Sequence, residues 1–120
     1  MNESFERKLN ELRIEDFLYV VFIVAIIIDL LANNETKKAL FGKNYEHNPS
    51  KLYIIAGLLV LLVFIFFAIR NYKEMQKQII GTRTYNLARM RFLGSVLIVI
   101  GQLLVVFYLL NVSDIQEGSI

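Results

Sequence analysis

The stretch LYIIAGLLVLLVFIFFAI, residues 52–69, decides the fold, because its eighteen residues include no charge and no proline. A bilayer core about 30 Å thick needs about 20 helical residues to cross it, within a range of about 17–25. A helix of a soluble bundle would instead show a polar face at a period of about 3.6 residues, and this stretch has none. Residues 52–69 therefore predict a transmembrane helix.

Two further apolar blocks flank this stretch. Residues 92–110 form a block of nineteen residues without a charge, and residues 17–32 form a block of sixteen broken only by Asp29. The shorter block needs its flanking residues or local thinning of the bilayer to cross. A helix satisfies its own backbone hydrogen bonds, as lipid demands. We therefore predict an all-α membrane protein with three transmembrane helices.

The composition agrees with a membrane protein and excludes several kinds of functional site. Hydrophobic residues make up 56% of the chain, against about 45–50% in soluble domains, and the mean hydropathy is +0.50. The absence of cysteine excludes disulfides, thiolate metal sites and thiol nucleophiles. A net charge of +2 is too small to indicate nucleic acid as a partner.

The order of the blocks divides this single membrane domain into segments. They are an N-terminal amphipathic helix at 1–16, the first span at 17–32, an outer loop at 33–51, the second span at 52–69, a basic cytosolic helical hairpin at 70–91, the third span at 92–110 and an outer acidic tail at 111–120. Lysine and arginine in short loops set orientation. The N-terminal segment and the hairpin hold three and six of these bases, the outer loop holds four and the tail none. The N-terminus is therefore expected in the cytoplasm and the C-terminus outside. Residue usage favours a bacterial plasma (inner) membrane.

Local signals predict where the helices begin and end. Asn33 and Asn34 are expected to end the first helix, before a short helical stretch stopped by Gly42. Ser50 is the expected N-cap of the second helix. Gly81 is expected at the tip of the hairpin, with Thr82 or Thr84 capping the third helix. The N-terminal segment carries five acids and three bases, which favours contact with the basic hairpin.

Polar and small side chains inside the spans are the candidate functional residues. They are Asp29, Gln102, Ser95, Gly57, Gly94 and Gly101. An ionisable group in a span is costly and often functional, but Asp29 lies near the outer end of its block, where a structural or interfacial role is the favoured interpretation and a place in an ion path is the alternative. Asp29 and Gln102 fall within about one helical turn of each other in depth, near Gly57. We hypothesise that the two side chains hydrogen-bond within one protomer or across a subunit interface. Gly94 and Gly101, seven residues apart, favour a helix-packing seam.

The function these residues favour is membrane assembly. We expect an oligomeric module or an accessory subunit of a membrane complex, which associates with itself or with another membrane protein. The alternative is a homo-oligomeric ion channel or pore-forming effector lined by Gln102, Ser95 and Asp29. No nucleophile–base pair, converging ligand set or phosphate-binding loop occurs, so we expect neither an enzyme nor a cofactor.

The bases of the predicted cytosolic hairpin have two alternative roles. They either set the topology alone, or they hold anionic lipid headgroups or dock a partner. They are Arg70, Lys73, Lys77, Arg83, Arg89 and Arg91.

Overall fold

The structure, a computed structural model, describes residues 3–43 and 48–118, with side chains as far as residue 112. It is all-helical over these residues. The helices are α1 (Glu3–Leu40), α2 (Pro49–Gln76) and α3 (Arg83–Gly118). Two of them, α2 and residues Arg83–Val112 of α3, are long enough and apolar enough to cross a membrane.

Helix α1 is longer and more continuous than the sequence pattern indicates. Its 38 residues span about 57 Å at about 1.5 Å per residue, and they join the N-terminal segment to the first apolar block without a break. The prediction that Asn33 and Asn34 end the helix is wrong, because asparagine lowers helix propensity only modestly. The helix ends at Leu40, and Gly42 follows with a φ of 75°. The amides of Gly42 and Lys43 donate back to the carbonyls of Ala39 and Lys38, at 3.1 and 2.8 Å, which is the Schellman arrangement.

Side-chain caps fix the starts of the other two helices. The prediction of Ser50 as the N-cap of α2 is wrong, since Asn48 takes that position and its Oδ1 accepts from the Ser50 amide at 2.9 Å. Pro49 then occupies the first helical position, where its missing N–H is no loss. At α3, Thr82 is confirmed as the cap, because its Oγ1 accepts from the Tyr85 amide at 3.2 Å. Gly81, with a φ of 93°, lies in the turn before it.

The three helices lie side by side in a nearly flat layer measuring 59 × 31 × 16 Å. Helix α2 packs against both α1 and α3 and separates them. Neighbouring helices run antiparallel, since Tyr19 lies against Phe67 and, further along α1, Asn33 accepts a hydrogen bond from Tyr53. The seam of α1 is marked by buried Leu18, Ala25 and Ala32. Their seven-residue spacing keeps one face of a helix toward its neighbour.

Most of the apolar surface remains uncovered in this layer. Within the most apolar eighteen-residue windows, only 17% of the residues are buried in α2 and 6% in α3. A core helix of a soluble protein would be mostly buried. Contiguous apolar surface of this extent indicates contact with lipid or with another protein.

Candidate functional site

Gln102 and Gly57 form the central contact between α2 and α3. The Gln102 side-chain Nε2 donates to the Gly57 carbonyl oxygen at 3.0 Å. A Cβ at position 57 would lie 3.3 Å from Leu109 Cδ1 and 3.4 Å from Val106 Cγ2. Glycine at this position therefore lets the two helices approach and lets the amide reach the backbone.

Asp29 lies at the same level but on the far side of α2. Phe22 packs on Phe64 with ring centroids 6.1 Å apart, and one seven-residue step along each antiparallel helix brings Asp29 opposite Gly57. Because α2 separates α1 from α3, the predicted hydrogen bond between Asp29 and Gln102 within one protomer is wrong. Asp29 is half-buried, and the described part of the chain provides it with neither a hydrogen bond nor an ion pair. A bond across a subunit interface stays a prediction.

The small residues of α3 have different surroundings from Gly57. A Cβ at Gly94 or Gly101 would meet no atom within 4 Å. Neither glycine therefore lies at a helix contact inside the described chain, and a seam between protomers stays a prediction. Ser95 does face α2, since its Oγ accepts from the Asn71 side chain and donates to the Arg91 carbonyl at 3.0 Å.

The base-rich ends of the helices are joined by ion pairs. Arg70 donates to Glu15 at 2.8 Å, and Lys77 lies 3.9 Å from Glu11. These pairs are the contact expected between the acidic N-terminal segment and the basic segment after residue 69. The Arg70 hydrogen bond holds the pKa of the Glu15 carboxyl below its usual value, although partial burial acts in the opposite direction.

A cleft with a volume of about 580 Å³ opens at this end, between α1 and α3 and over α2. Five bases and two acids line it. They are Arg7, Lys8, Arg70, Lys77 and Arg91, with Glu11 and Glu74. Among the predicted docking bases, Lys73, Arg83 and Arg89 do not line this cleft and are exposed elsewhere.

Sequence reasoning missed three of the residues that build this end. Arg7 and Lys8 come from α1, and Asn71, only 7% exposed, comes from α2. The expected contact between the N-terminal acids and the basic segment could have placed Arg7 and Lys8 at this end, because Arg7 lies one helical turn from Glu11. No sequence signal distinguishes Asn71 from an ordinary surface asparagine.

The donor set of the described residues does not form a metal centre, since nowhere in that part of the chain do three His, Cys, Asp or Glu side chains converge. His47 lies outside the described residues.

Comparison with protein-family models, with curated proteins and with solved structures finds no match to this chain.

Proposed function

We propose that this protein is a small multi-pass membrane protein that acts by assembly, either as a homo-oligomer or as an accessory subunit of a membrane complex. The observation that carries the proposal is Asp29, a half-buried carboxylate without a partner among the described residues, inside an apolar block and three residues from its end. The uncovered apolar faces of α2 and α3 support it, because one protomer leaves them open to lipid and to other helices.

The depth of Asp29 strengthens this proposal. Thirteen residues separate Gly57 from Arg70, which amounts to about 20 Å along α2. With Arg70 at one boundary of a core about 30 Å thick, the level of Gly57 and Asp29 lies about 10 Å inside the opposite boundary. A charged side chain near the centre costs about 2.5–3.5 kcal/mol on insertion scales. A hydrogen-bonding group from a second chain would lower that cost.

The proposed topology has three spans. The block at 17–32 crosses with α2 and α3, aided by the helical residues on either side of it. The distribution of bases supports a cytoplasmic N-terminus and an external C-terminus, in a bacterial plasma membrane. In this orientation the cleft faces the cytoplasm.

A homo-oligomeric cation channel is the second candidate, and Asp29 is the observation that favours it. A ring of such carboxylates would attract cations. The other two proposed lining residues are less suited, because Gln102 binds Gly57 and Ser95 binds Asn71 within the protomer. The geometry therefore favours assembly over conduction.

The mass of the complex gently released from its membrane tests the proposal. We expect a particle heavier than one 13.9 kDa chain, and we expect Asp29→Leu to reduce that mass while Asp29→Asn, which can still hydrogen-bond, retains more of it. Asp16→Leu is the matched control, since Asp16 is exposed on the same helix outside the apolar block. A wild-type protein released as a lone monomer, or an Asp29→Leu complex of unchanged mass, would contradict the proposal. Cation flux through liposomes that Asp29→Asn abolishes would favour the channel.

A further inference from the structure

The charged cleft continues into an apolar groove. A second cavity of about 390 Å³ lies on the same face of the layer, and Asn71 and Arg91 line both. Its floor is formed by Phe64 and Phe67 of α2, and Glu15, which is paired with Arg70, and Ser95 also line it. The groove leads from the base-rich end toward the middle of the apolar blocks, so one continuous surface changes from cationic to apolar along its length.

Within the described residues, the cationic end has three bases that make no ion pair, although the charge of Arg91 acts on the Glu15 carboxylate from beyond ion-pair distance. Arg70 and Lys77 are paired with acids of α1 and α2. Arg7, Lys8 and Arg91 line the same cleft, and within the described residues none of the three has a carboxylate within ion-pair distance. Guanidinium groups bind phosphate oxygens through paired donors. The cleft therefore suits an anion that bears phosphate.

The apolar end has room for a hydrocarbon chain. Tyr19 forms one wall, and Gly94 and Ile98 of α3 form the other. The absence of a side chain at Gly94 leaves more than 4 Å free at the position of its missing Cβ. A free phosphate ion would use the cleft alone, whereas a lipid would use the cleft and the groove together.

We propose that one phospholipid with an anionic headgroup binds in this composite site. Its phosphate lies in the cleft beside Arg91 and Arg7, and one acyl chain follows the groove past Gly94. The inference rests on the proposed membrane insertion, with the base-rich end at the cytoplasmic interface, but it does not require assembly. The lipid would tie the start of α3 to the N-terminal part of α1, which α2 otherwise separates.

Native mass spectrometry of the full chain in detergent, after mixing with phosphatidylglycerol or phosphatidylcholine of identical chains, tests the site. We expect preferential retention of phosphatidylglycerol. Arg91→Gln should weaken that retention about five-fold, the effect of one base near an anionic lipid surface. Arg89→Gln is the matched control, because Arg89 is two residues away on the same helix and does not line the cleft. Equal losses in both variants would indicate unspecific attraction and overturn the site.

Filling the groove tests the acyl-chain half of the proposal. Gly94→Leu should lower phosphatidylglycerol retention several-fold, while Gly101→Leu, which has equally open surroundings, should leave it unchanged. Glycerol phosphate and inorganic phosphate should not displace the lipid at equal concentration, and displacement by either would assign the cleft to a soluble phosphate instead. If Gly94→Leu changed the oligomer mass but not lipid retention, the groove would be a protein interface and the lipid site would be overturned.

The same spectra separate this inference from the proposed function. A monomer that retains phosphatidylglycerol selectively would support the lipid site and contradict assembly. An oligomer that retains both lipids equally would support assembly and overturn the lipid site.

Discussion

Replacing Gly57 with leucine should separate α2 from α3 at the contact between Gly57 and Gln102. The new Cβ would lie 3.3 Å from Leu109 Cδ1 and 3.7 Å from Gln102 Nε2, and three further carbons would have to enter the same space. The Gln102 amide would then be pushed away from the Gly57 carbonyl, which it now reaches at 3.0 Å. The substitution therefore adds volume and removes a hydrogen bond at one point.

The expected cost follows from these two effects and one that opposes them. Overpacking a closely packed site costs about 1–3 kcal/mol, and an interhelical hydrogen bond in a bilayer contributes about 0.6 kcal/mol on average. Leucine favours the helix over glycine by about 0.8 kcal/mol. We therefore expect Gly57→Leu to lower the free energy of unfolding by about 1–3 kcal/mol. The same change at Gly101, where a Cβ meets nothing within 4 Å, should leave it unchanged or slightly raised.

Reversible unfolding in mixed micelles, followed by helical circular dichroism as the denaturing detergent is titrated, measures both variants. Gln102→Leu supplies the hydrogen-bond contribution separately and should cost about 0.6 kcal/mol. Gly57→Ala, which adds only the Cβ beside flexible side-chain ends, should lie close to the wild type. If Gly57→Leu and Gly101→Leu had the same stability, the described contact between α2 and α3 would be refuted.

Two further predictions concern the base-rich end and the topology. The lowered pKa of Glu15 means that its pair with Arg70 contributes fully to stability above the ordinary glutamate pKa of about 4.3, and that this contribution is lost as the pH falls from there through the lowered pKa of the folded state. A pH titration of unfolding should therefore show a larger acid loss in the wild type than in Glu15→Gln, and equal losses would contradict the pair. The chain has no cysteine, so Lys8→Cys and Lys38→Cys can each be labelled alone in intact cells. A membrane-impermeant thiol reagent should label only Lys38→Cys, and labelling of Lys8→Cys would reverse or reject the proposed topology.

The positions of the helices could be predicted from the sequence because charge is excluded from the apolar blocks and concentrated between them. The common level of Asp29 and Gln102 along the helices could be predicted as well, since it depends only on counting residues along a helix. The ends of the helices were harder to predict from the sequence. Asn33 and Asn34 have only weak intrinsic preferences, so the helix continues through both of them to Leu40.

The lateral arrangement of the helices could not be predicted from the sequence patterns. A compact bundle would bring α1 against α3, and the expectation of an Asp29–Gln102 bond within a protomer assumed such contact. The seven-residue spacing of Leu18, Ala25 and Ala32 marks the actual seam of α1. Leucine and small residues are common throughout the apolar blocks, however, and only contact with α2 distinguishes Ala25 and Ala32 from Gly94 and Gly101.

Substitutions at the base-rich end and substitutions of Asp29 should have different effects on monomer stability and on association. At the base-rich end, Glu15 and Arg70 satisfy each other inside one chain, so their substitution should lower the stability of the monomer and leave its association unchanged. Asp29 has no such partner among the described residues, and its replacement by leucine removes a desolvated carboxylate. Asp29→Leu should therefore leave the monomer as stable or more stable while it weakens association. A variant that lost stability and association together would indicate that Asp29 supports the fold of the protomer and does not act directly in assembly.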